Sequence, residues 1–138
     1  MSHFLVLTSA DSTGQVEEIM NYCYSSKFDS YELGGAWTEL FLVSDANGCG
    51  WSDVERQHAP VGYFWTPFAK KKDIAWEEMR KIKRCPLEQT SAFIQNREWH
   101  DIKTGKTKLE AWGFEVKAFI DSVAPDDLLF GIDCHGCW

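Results

Sequence analysis

A chain of 138 residues, 44% of them apolar and 25% charged, is long enough to bury its own core as one domain without staples. Its formal charge of −7 argues against broad binding to nucleic acid or anionic membrane, which requires clustered Lys and Arg. No apolar run approaches the roughly 20 residues of a membrane span. No N-terminal stretch combines a basic start, an apolar run and a cleavage site, so reduced thiols in a cytosol are expected.

The first segment, His3 to Thr8, is a short apolar run and reads as a strand. Asp11, Ser12 and Thr13 offer an N-cap, and Val16, Ile19, Met20 and Cys23 recur at helical spacing, which predicts a helix over 13–24. Lys27 to Gly35 reads as a loop, Ala36 to Val43 as a second strand and Asp45-Ala46-Asn47-Gly48 as a turn. Residues 49–72 have no clean period. Asp73 is placed to cap a helix over 74–84 that ends before Pro86. Ser91–Ile94 and Glu98–His100 form a third strand, continuous or split by a turn at Gln95-Asn96, and Thr104-Gly105 marks another turn. Trp112, Val116, Phe119, Ile120 and Val123 lie on one helical face, Pro125 follows, and Leu128 to Asp133 is the last strand.

Without 45–90 the order is β-α-β-β-α-β. The predicted fold is a single α+β domain over 1–138 with a ferredoxin-like antiparallel sheet and both helices on one face. Residues 45–90, with one short helix, form an insertion between strands two and three.

That topology gathers His3, Glu98, His100, Asp133 and His135 on one rim. Imidazole and carboxylate suit zinc, iron or manganese, so these five are candidate ligands of a divalent metal. His100 or His135, oriented by Asp133, is equally a candidate catalytic base. At the same edge, Asp29, Tyr31, Gly34, Gly35 and Trp37 form a candidate binding segment. Paired glycines allow close backbone approach, and Tyr31 and Trp37 are positioned by sequence to flank a planar group such as a nucleotide base. No phosphate-loop pattern accompanies them.

Cys134-His135-Gly136-Cys137 is a lone C-x-x-C with no helix after it to lower a thiol pKa, and Cys49 and Cys85 supply no second ligand pair. Free thiols are the simpler reading. Residues 70–84 carry Lys70, Lys71, Lys72, Arg80, Lys81, Lys83 and Arg84 against three acids, a local +4 that leaves −11 on the rest. This run is the one place where nucleic acid could bind, although such runs are ordinarily solvated helix faces.

Several motifs together resemble a family of small phage and prophage proteins. They are Met1-Ser2-His3-Phe4, then Phe28-Asp29-Ser30-Tyr31-Glu32-Leu33-Gly34-Gly35-Ala36-Trp37, then Asp73-Ile74-Ala75-Trp76-Glu77-Glu78-Met79, then Glu98-Trp99-His100, and finally Pro125-Asp126-Asp127-Leu128-Leu129 leading to Asp133-Cys134-His135. The resemblance implies context more than chemistry: a phage-encoded accessory protein in a bacterial host. One departure is Ala36, where the family pattern has Arg before Trp. With the acidity and the surplus of aromatic residues, the resemblance leads to an expected non-catalytic inhibitor of a host protein or defence complex. A metal-dependent or acid–base small-molecule enzyme using the histidine rim, and a nucleotide-sequestering protein, are the alternatives.

Overall fold

The structure is a computed structural model that describes residues 2–37, 39–47, 58–83, 86–102 and 109–136. The central strand is β1 (Ser2–Ala10). Phe4, Leu5, Val6 and Leu7 are all buried in succession. Such a run is incompatible with a sheet that has one wet face, because successive side chains point to opposite sides. Both faces of this sheet are covered.

Helix α1 (Thr13–Lys27) follows. Ser12 is its N-cap, and the Ser12 hydroxyl accepts from Gln15 N–H at 3.3 Å while Gln15 Oε1 accepts from Asp11 N–H at 2.6 Å. Val16, Ile19, Met20 and Cys23 pack with Phe4, Val6, Ile132 and Cys134 on one face. Strand β2 (Ser30–Leu33) lies within the expected loop. The expected strand over 36–43 is instead a 3-10 turn, Gly35–Trp37, followed by β3 (Phe41–Ser44). Gly34 and Gly35 adopt φ of +77° and +50°, left-handed backbone that ends β2 and delays the next strand.

Strand β3 pairs with β4 (Tyr63–Thr66) in a two-stranded sheet of its own, and β5 (Phe68–Lys70) adds to the main sheet. The 45–90 segment therefore contributes pairing to both sheets. Helix α2 (Trp76–Lys81) is shorter than predicted. Its N-cap is Ala75, and Asp73 sits in a preceding 3-10 turn instead of capping it. The expected third strand is split into β6 (Thr90–Gln95) and β7 (Glu98–Asp101). Asn96 and Arg97 both have positive φ, the signature of the tight two-residue turn that matches strand twist.

Helix α3 (Leu109–Ser122) puts Trp112, Val116, Phe119 and Ile120 into the core, with Val123 just beyond its end, as their spacing predicted. They pack with Leu5, Leu7, Phe93, Leu129 and the β3–β4 pair on the face opposite α1. Strand β8 (Leu128–Gly136) pairs with β1 along its whole length. The predicted turn residues Gly48 and Thr104-Gly105 lie outside the described residues.

The mixed α+β class is as expected, but the ferredoxin-like arrangement is not what the strands form. The order is β2-β8-β1-β6-β7, with β5 also on β8. Strand β6 runs parallel to β1, whereas the predicted third strand was antiparallel to it. Helices α1 and α3 cover opposite faces, which corrects their expected placement on one. No described helix is long and apolar enough to cross a membrane.

Candidate metal centre

Strands β1 and β8 are antiparallel, so the first residues of one meet the last of the other. His3 is directly opposite His135, and Leu5 opposite Asp133. His3, Asp133 and His135 then share a sheet face, the one that carries Leu5, Leu7 and Leu129. The two imidazole centroids are 3.9 Å apart with planes inclined by 59°.

Asp133 is the buried member of the group, with 2% of its side chain exposed. Its carboxylate lies 2.9 and 3.0 Å from His3 Nδ1, and Oδ2 accepts from the Ala36 N–H at 3.0 Å. Oδ2 is also 3.9 Å from His135 Nε2. A buried carboxylate is tolerated only when it is hydrogen-bonded or neutralised. Here one amide and one imidazole do this, and the exposed side of both rings leaves the cluster open to solvent.

The paired glycines explain the amide. Strand β2 adds to β8 with Glu32 opposite Asp133, and Gly34 N–H donates to Gly131 carbonyl oxygen at 3.0 Å. The chain then turns over Asp133. A Cβ on Gly35 would collide with the Asp133 carboxylate, so only glycine lets the backbone come close enough for the next N–H to reach Oδ2.

One ligand atom from each of His3, Asp133 and His135 falls within 4.8 Å of the others. Bonds of about 2.1 Å to a common ion place ligand atoms no more than roughly 4.2 Å apart, a spacing close to the one found here.

Glu98 and His100 are not part of it. They lie on β7, 3.8 Å from each other. His100 is opposite Phe93, which pairs with Leu7, and its ring stacks on Phe93 at 4.9 Å. Two strand spacings and four residues separate it from His3, roughly 16 Å. The parallel direction of β6 is the cause, because it carries the following hairpin strand back along the sheet and leaves His100 midway. His135 keeps the Asp133 neighbour expected for a catalytic base, and His100 does not.

Tyr31 and Trp37 cannot flank one planar group. Tyr31 packs on the α1 face, edge-on to Phe28, while Trp37 packs on the opposite face. Asp29 enters the edge through its backbone, N–H to the His135 carbonyl at 2.7 Å. Cys134 is a free, fully buried thiol on the α1 side, and its C-x-x-C partner Cys137 lies outside the described residues. Burial, and then the Asp133 charge, push its pKa up to about 12.

The basic run is largely engaged. Lys71 Nζ donates to the Asp121 and Val123 carbonyls, Lys72 pairs with Asp126, Arg80 with Glu77 and Lys81 with Glu78. Arg84 lies outside the described residues.

Sequence reasoning missed the Ala36 amide and strand β2. The signal for both was the Gly34-Gly35 pair, whose close backbone approach was assigned to a ligand and serves the Asp133 carboxylate instead. No family model matches the chain, and neither the curated proteins nor the solved structures contain a significant match.

Proposed function

We propose that this protein binds one divalent transition-metal ion of the zinc, iron or manganese class through His3, Asp133 and His135, and uses it on a small molecule. The observation that carries the reading is the buried Asp133 carboxylate set between two imidazoles from opposite ends of the chain. Two imidazoles and one carboxylate suit these ions and leave coordination positions for water and substrate. An ion held there would activate a bound water or polarise a carbonyl or phosphoryl oxygen. Asp133 would supply the anionic ligand, and the Ala36 amide would fix the orientation of its carboxylate.

Equilibrium dialysis of purified protein against Zn²⁺, Mn²⁺ and Fe²⁺, with metal analysis, tests the proposal. One equivalent bound, and loss of binding in His3→Ala and His135→Ala, is the expected result. Protein that takes up none of the three ions and melts at the same temperature with and without them rules the proposal out.

A further inference from the structure

Helices α2 and α3 line a concavity that includes none of His3, Asp133 and His135. It is an open groove of about 710 Å³, within the size range of small-molecule sites. Trp76 on α2 and Trp112, Val116 and Ile120 on α3 form its apolar lining.

Two features distinguish it from a gap between helices. The first is Gly113, inside α3. Glycine in a helix interior is unfavourable by about 0.5–1 kcal/mol relative to alanine. A Cβ built at Gly113 meets nothing within 4 Å, so the space beside it is open.

The second is charge. Lys71, Arg80 and Lys117 line the groove together with Glu88 and Asp121, a local cationic excess on a chain of net −7. Lys71 is held by backbone carbonyls and Arg80 by Glu77. Lys117 has no ion-pair partner among the described residues.

We infer that the groove binds a small amphipathic acid. Its apolar chain or ring lies along Trp76, Trp112, Val116 and Ile120, its carboxylate sits at Lys117, and the space beside Gly113 is part of the bed. The favourable burial is apolar, and the lysine selects the sign of the headgroup.

Isothermal titration calorimetry of the full chain with decanoate, decanol and decylamine, each below its aggregation limit, tests this. Decanoate should bind one to one and more tightly than decanol by about fivefold, the scale of one partly exposed ion pair. Decylamine should bind weakest. Lys117→Gln should abolish the preference for decanoate over decanol. Gly113→Leu should weaken decanoate at least tenfold without lowering Tm, since leucine is the better helix former, while Gly113→Ala should weaken it little. No heat with decanoate, decylamine binding as tightly as decanoate, or Gly113→Leu binding like wild type each overturns the assignment. So does binding of an amphipathic helical peptide by a chain that ignores decanoate, which would make the groove a protein-docking surface.

Discussion

Gly35 and Asp133 are in such close register that no other residue type fits at position 35. The turn after β2 carries positive φ and passes directly over the carboxylate. Gly35→Ala should therefore combine left-handed strain with a clash against a buried group, a loss of about 2–4 kcal/mol in unfolding free energy. Urea titration measures it. The same variant should bind metal more weakly, because the Ala36 N–H can no longer hold Oδ2. A loss below 0.5 kcal/mol would mean that the turn is free to move off Asp133.

The two histidine groups should behave differently. At a hundredfold excess over Kd, a bound ion adds about 2.7 kcal/mol to stability. This should appear as a Tm rise of several degrees in wild type. His3→Ala and His135→Ala should lose the rise, and His100→Ala should keep it, because His100 lies against Phe93 well along the sheet. Differential scanning fluorimetry of the four proteins with and without Zn²⁺ or Mn²⁺ gives the answer. Equal loss in all three variants would place His100 in the same site.

Part of this site was legible in the sequence because one pairing was. Antiparallel β1 and β8, the two end strands, bring His3 to His135 whatever lies between them. The helical face of Trp112, Val116, Phe119, Ile120 and Val123 was equally plain, since long-range context does not alter a 3.6-residue period. Strand direction was not legible. Residues 91–94 and 98–100 read as strand, but nothing in a strand's own residues distinguishes a parallel from an antiparallel neighbour. The mistaken direction placed Glu98 and His100 on the rim. The four consecutive apolar residues Phe4, Leu5, Val6 and Leu7 already implied two covered faces, and hence helices on both sides.

Cys134 should be chemically silent in the folded protein. Its thiol is fully buried beneath α1, and its pKa is pushed up to about 12, so almost no thiolate exists at pH 8. Alkylation with iodoacetamide at pH 8, mapped by mass spectrometry, should leave Cys134 unmodified in native protein and label it in urea. Rapid native labelling would show that the C-terminal half of β8 opens, and with it the strand that carries Asp133 and His135.

Gly131 and Leu40 make the other close approach in β8. Strand β8 is shared along one edge, with β5 taking Leu128–Phe130 and β2 taking Ile132–His135. Gly131 is the seam: its N–H donates to the Pro67 carbonyl at 2.7 Å and its carbonyl accepts from Gly34 N–H at 3.0 Å. Over it lies Leu40, whose Cδ2 occupies the space a Cβ on residue 131 would need. Because the obstructing atom is the end of a flexible side chain, Gly131→Ala should be overpacked by only about 1–3 kcal/mol. Leu40→Ala alone should cost about 2–5 kcal/mol through the cavity it leaves. The double variant should be less destabilised than the sum by at least about 1 kcal/mol, since the new methyl partly fills the space the leucine vacates. Urea unfolding of the four proteins closes the cycle. Additive losses would mean that Leu40 does not rest on Gly131, and that another neighbour limits the seam.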